Sequence, residues 1–309
     1  EKINAAAFNE LSAAIHEGGA VASFELNHPG RMANQKRNLN GEAPIGPMEW
    51  DRPDGVHVQA ATLEQLEYTA DQYAAAAAFL KQCGFDMCIL HGGHGWLLGQ
   101  FLSPATNQRT DEFGGSRENR ARFPLMVIER VRERVGADFL IDYRISGDEL
   151  QENGQTIEDT IAFIKAAEDK LDMVHISAGL DTNMHQAIIT HPHSYLPRGV
   201  NVKYAAAVKV AGVKIPVTTV LSIRRTRRSK FWRKVRRIAL PCAAHRLPIP
   251  TGPIRRGSAG QTKSAPVSAA PTVWARCMCL TVSAAMLIPL LGRSIACPNT
   301  SPRQRNIWT

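Results

Sequence analysis

Between residues 5 and 219 a stretch of helical periodicity is followed by a short apolar run five times over, and that alternation leaves few folds open. Over residues 5–16 apolar positions recur at helical spacing, Gly18 and Gly19 stop the pattern, and residues 21–26 read as a buried strand. The later pairs are a helix over 63–82, ended by Gly84, with a strand over 85–90; a helix over 118–135 with a strand over 139–144; a helix over 157–169 with a strand over 173–177; and a helix over 202–211 with a strand over 214–219. Strands joined through helices pair in parallel, since each crossover returns the chain to the same end of the sheet. The loops that follow strands, 27–63, 91–117 and 178–201, are long, polar and rich in Gly, Pro and His, whereas the helix-to-strand connections are short. That inequality is expected where loops on one face of an α/β barrel build an active site. A doubly wound open sheet explains the alternation equally well, but no G-x-G-x-x-G follows any strand. The expected fold is therefore α/β, a partial TIM (β/α)8 barrel with about five of its eight βα units.

The rhythm stops at residue 220, and the charge changes there too. Of 37 Lys and Arg, 20 lie in residues 1–220 together with all 28 Asp and Glu, while the last 89 residues carry 17 basic groups and no acid. The basic overall balance is thus a property of the tail. The expected division is a barrel domain over 1–220 and a basic, irregular tail over 221–309. Cys83 and Cys88 fall in the front part, and the other four cysteines have no zinc or disulfide spacing, so reduced thiols and a cytoplasmic location are expected. The longest apolar stretch, near residues 280–291, is short and broken by Pro289, which argues against a membrane span. The chain opens at Glu1, already inside a helical pattern, and is expected to lack residues before it.

His91 and His94 stand just past the apolar run 85–90, the end of a barrel strand where chemistry is kept. Gly92 and Gly93 between them have no side chains and would let a ligand approach the backbone. Two neutral imidazoles side by side can both donate to one oxygen and polarise a carbonyl or nitro group. The alternatives are zinc, for which H-x-x-H without a nearby third ligand is weak evidence, and a pair satisfied by backbone groups.

The stretch from His91 to Phe123, HGGHGWLLGQFLSPATNQRTDEFGGSRENRARF, closely resembles the signature of the old yellow enzymes and related NADH:flavin oxidoreductases. The resemblance extends over roughly residues 5–220, including Asn27-His28-Pro29-Gly30-Arg31 and Tyr143-Arg144-Ile145-Ser146. It implies a TIM barrel, of which this chain would carry the third to seventh strands, holding FMN, with NAD(P)H as reductant and a small-molecule alkene as substrate. It implies that His91 and His94 bind the substrate's electron-withdrawing oxygen, and that Arg144 contacts the flavin, where its charge favours the reduced anionic ring. An Arg144 paired with Asp142 or Asp148 is the structural alternative. Two positions depart from the family. Trp96 replaces the usual proton-donating Tyr beside the substrate, and an indole N–H is no useful acid. His185, where the 2,4-dienoyl-CoA reductase branch places an active-site histidine, becomes the candidate donor, with a plain surface histidine as the alternative. Glu25 replaces a flavin-contacting Gln and would face the pyrimidine edge with an acceptor unless protonated. Gly114, Gly115, Ser116, Glu118, Asn119, Arg120 and Arg122 read as architecture, with Ser116 as a helix cap.

The tail admits two readings. Its arginine pairs from Arg224 to Arg237 could bind nucleic acid or an anionic surface, although its aromatics are not spaced as stacking platforms. Alternatively, a GC-rich gene read out of register yields Arg, Ala, Pro and Ser with few acids, the composition seen. Back-translated and read from the third base of each codon, residues 247–256, 263–275 and 293–301 can encode stretches resembling, in order, the larger iron–sulfur members of the family, including a C-x-x-C-x-x-C spacing. The second reading is favoured and expects a frameshift near residue 220. It further expects a fragment with impaired FMN binding, whose parent alone would carry a [4Fe–4S] cluster and FAD.

Overall fold

The structure, a computed structural model, describes residues 5–181, 188–190, 196–197 and 199–219. The tail from 221 onward, His185, His191 and His193 lie outside the described residues. Helix α1 (Ala5–Glu17) precedes strand β1 (Ser23–Leu26). The long connection after β1 forms 3-10 turns and a small sheet of β2 (Ile45–Gly46), β3 (Trp50–Asp51) and β4 (His57–Ala60). Helix α2 (Leu63–Gln82) then leads to β5 (Met87–Gly92). Next, α3 (Leu97–Leu102) and α4 (Arg117–Val135) lead to β6 (Leu140–Ser146), α5 (Ile157–Ala167) to β7 (Met173–Ser177), and α6 (Val202–Val210) to β8 (Val217–Thr219).

The five expected strands form one parallel sheet in the order β1-β5-β6-β7-β8. Local chemistry marks where its helices begin. Thr62 and Gln65 form a capping box on α2, Thr156 and Asp159 do the same on α5, and the Ser116 hydroxyl accepts from Asn119 N–H at the start of α4. Two strands run further than their apolar runs suggest. His91 and Gly92 continue β5 by pairing with Arg144 and Ile145, and β6 extends to Ser146 against Ser177. His91 is thus a strand residue, not a loop residue behind a strand. The small β2–β4 sheet and α3 fall inside stretches expected to be irregular; elements of two to six residues are too short to show a period.

The strands alternate strictly. Phe24, Leu26, Cys88, Leu90, Ile141, Tyr143, Ile145, Val174 and Ile176 join the core formed with the helices. Phe8 packs there against Phe24, Phe79 and Phe85 at centroid distances of 5.4, 5.3 and 6.3 Å. Cys83 and Cys88 are buried free thiols, as expected. The opposite face carries Glu25, Ile89, His91, Asp142, Arg144, Ser146, His175 and Ser177. The apolar core thus lies on one face of the sheet and the charged groups on the other. No helix among the described residues is long and apolar enough to cross a membrane.

Candidate active site

Two rows of partners cross the polar face. Glu25, Ile89 and Asp142 stand in register in the lower row, and His91, Arg144 and His175 stand in the row nearer the C-terminal ends of the strands. His94 lies just beyond β5 and completes the pair with His91. The two rings meet edge to face, with centroids 4.9 Å apart and planes at 79°, and both residues are buried.

Each histidine is held on several sides. The backbone N–H of Gly93 donates to His91 Nδ1 at 3.3 Å, and His91 Nε2 lies 3.9 Å from Glu25 Oε1. His94 takes a left-handed backbone conformation, φ 58°, uncommon for a residue with a side chain. Its N–H donates to Ser146 Oγ at 3.1 Å, its carbonyl accepts from Asp181 N–H at 3.1 Å, and its Nε2 lies 2.5 Å from Ser177 Oγ. Gly92 and Gly93 are required by the packing of the chain itself. A Cβ at Gly92 would collide with the Tyr143 hydroxyl, and one at Gly93 would sit 2.9 Å from Ser146 N.

Arg144 Nη1 donates to Glu25 Oε2 at 3.0 Å, so its ion-pair partner is Glu25 and not Asp142 or Asp148. Asp142 is buried, and its Oδ1 has no hydrogen-bond partner among the described residues. Burial, reinforced by the negative charge of Glu25, pushes its carboxyl up to about 7 against the opposing pull of Arg144. His175 is pulled down to about 3, by burial first and by the Arg144 charge second. Trp96 is half-buried at the start of α3, its ring centroid 6.2 Å from that of His91. The site therefore brings together His91, His94, Glu25, Arg144 and Trp96. Among the described residues no group of three His, Cys, Asp or Glu could hold a metal ion.

The remainder of the long motif builds the loops. Gln100 Nε2 donates to Pro29 O at 3.1 Å and Gly95 O at 2.7 Å, and its Oε1 accepts from Arg31 N–H at 3.1 Å. It thereby ties the 27–31 motif to the 91–123 motif. Asn107 Nδ2 donates to the carbonyls of Phe101 and Phe113, and Arg120 donates to those of Leu102 and Gly115. Sequence reasoning gave no site role to His175, Ser146 or Ser177 and considered Asp142 only as a partner of Arg144. Their signal was present, since polar residues at 142, 144 and 146 alternate with Ile141, Tyr143 and Ile145, and His175 and Ser177 alternate with Val174 and Ile176.

The sequence pattern of the NADH:flavin oxidoreductase / NADH oxidase family matches residues 1–232. An NADH oxidase of Thermoanaerobacter brockii is 37% identical over 221 residues, covering 71% of this chain and 33% of the relative. An NADPH dehydrogenase of Bacillus cytotoxicus is 36% identical over 197 residues, covering 63% of this chain and 53% of the relative. The chain thus spans between a third and about half of the length of these relatives. The solved old yellow enzyme homologue of Zymomonas mobilis superposes with a TM-score of 0.60 at 23% identity, over 76% of this chain and 66% of that one. The shared fold makes the five-stranded sheet a partial TIM barrel.

Proposed function

The chain belongs to the NADH:flavin oxidoreductase / NADH oxidase family, and we propose that its activity is that of an ene-reductase. The reaction is reduction of the C=C bond of an α,β-unsaturated carbonyl or enoyl-CoA-type substrate, with NAD(P)H as reductant. The observation that carries this reading is the edge-to-face His91–His94 pair, buried at the end of β5 in the same row as Arg144. Two neutral imidazole N–H groups converging on one carbonyl oxygen draw electron density from the β-carbon and need no reorganisation to do so.

The residues present fit FMN. Arg144 Nε, a donor, and Asn27 Oδ1, an acceptor, are buried without partners among the described residues, and a flavin ring edge offers both kinds of complement. Arg144 and Glu25 would hold the ring, and FMN when bound supplies the hydride carrier. A proton must also reach the substrate α-carbon. The Trp96 indole cannot release one, so His185 is proposed as donor. The division into a partial barrel over 1–220 and an out-of-frame tail over 221–309 is proposed as well, and sequencing the gene around codon 220 tests it. A [4Fe–4S] cluster and FAD are proposed for a longer parent only.

The test supplies the protein with excess FMN, NADPH or NADH, and 2-cyclohexenone without oxygen, and follows the two half-reactions separately. Replacing both His91 and His94 by Ala is expected to slow reoxidation of reduced flavin by the enone about a hundredfold, while reduction of FMN by the nicotinamide changes little. Equal loss in both half-reactions, or undiminished enone reduction, overturns the reading.

A further inference from the structure

The two histidines are chemically related but not equivalently held, and the difference is in which ring nitrogen carries the proton. His91 Nδ1 accepts from Gly93 N–H. In a neutral ring the proton therefore sits on Nε2, the atom facing Glu25. For His94 the deciding group is Ser177. Its hydroxyl is fully buried at the end of β7, and His94 Nε2 at 2.5 Å is its hydrogen-bond partner among the described residues. If Ser177 accepted from His94 Nε2–H, its own buried O–H would have no acceptor, at a cost of about 1–3 kcal/mol. If Ser177 donates, that cost vanishes and the His94 proton moves to Nδ1. There it faces Asp181 Oδ2 at 4.0 Å, a carboxylate that favours an N–H and disfavours a lone pair. The neighbouring Ser146 hydroxyl does not compete, since it donates to Gly179 O and accepts from His94 N–H.

We propose that Ser177 is a positioning residue that holds His94 in the Nδ1–H tautomer, opposite to the Nε2–H tautomer of His91. The pair then presents two neutral N–H donors from different ring positions. Their ligand is an oxygen with two lone pairs to offer, a carbonyl, nitro or phenolate oxygen, and not a hydroxyl that must donate. A ring free to exchange tautomers would spend part of its time presenting a lone pair to that oxygen. The use made of the tautomers rests on the ene-reductase reading; the tautomers themselves do not.

The experiment is ¹⁵N NMR of the imidazoles in the full chain near neutral pH, with His94 assigned by the signals lost in His94→Gln. The expected result is a protonated Nδ1 and an unprotonated Nε2 for His94, with the reverse for His91. Ser177→Ala should shift the His94 signals toward an averaged or reversed tautomer, leave those of His91 in place, and be reversed by Ser177→Thr, which keeps the hydroxyl. Nε2–H on His94 in the unaltered protein overturns the proposal, and so does a Ser177→Ala protein whose His94 tautomer is unchanged. Because the unaltered protein is read directly, a variant that fails to fold leaves the first outcome standing. Failure of enone reduction with these tautomers in place would count against the ene-reductase reading alone.

Discussion

Asp142, Glu25 and Arg144 bring two carboxyls and a guanidinium together on the polar face. The folded chain holds the Asp142 proton up to about pH 7, far above an ordinary carboxyl, because burial disfavours the ionised form and the negative charge of Glu25 adds to it. The folded value is raised, so this group's stabilising contribution is complete below about pH 4 and is lost as the pH climbs to about 7. The depressed value of His175 works in the opposite direction, losing stability as the pH falls. Asp142→Asn isolates the first effect. Relative to the unaltered protein it should gain stability between pH 4 and 7 and no more above that, as read by urea unfolding at several pH values; a constant difference would refute the account. Glu25 places a carboxylate on the one guanidinium expected to face the flavin. Glu25→Gln should therefore lower the stability of the flavin-free protein, by leaving Arg144 buried without its counter-charge, and tighten FMN about tenfold, or ~1.4 kcal/mol. Quenching of FMN fluorescence measures the second effect.

The elements around the site are held by local bonds that can be broken one at a time. Thr62 and Gln65 close the capping box that starts α2, so Thr62→Ala should cost about 1 kcal/mol in urea unfolding. Gln100, buried in α3, differs because its three hydrogen bonds join the loop after β1 to the loop after β5. Gln100→Ala leaves Pro29 O, Gly95 O and Arg31 N–H without that partner. Its cost should reach roughly 2–4 kcal/mol and be accompanied by movement of the His91 and His94 signals. A loss no larger than that of Thr62→Ala would mean that the two loops do not depend on each other.

At the scale of the whole molecule, the sheet among the described residues is open. Among the described residues β1 and β8 each pair on one side only. TIM barrels bind phosphate with their last two βα units, and no βα unit after β8 is among the described residues. The polypeptide as written is therefore expected to purify with far less than one FMN per chain, by absorbance near 450 nm of the protein and of its heat-released supernatant. A stoichiometric yellow protein would refute this.

The residues along the chain were enough to place five βα units, the helix cap at Ser116, and the histidine pair at the end of one strand. These are features of local period and local hydrogen bonding, written within a few neighbouring residues. The partners were not readable in that way. Arg144 meets Glu25 from 119 positions away and His94 meets Ser177 from 83, because parallel pairing sets the register of strands that are remote in sequence. The same pairing sets Gly92 and Gly93 against β6 and draws His91 into the strand itself. Which residues carry polar chemistry on each strand follows from alternation; which of them touch follows from how the strands lie side by side.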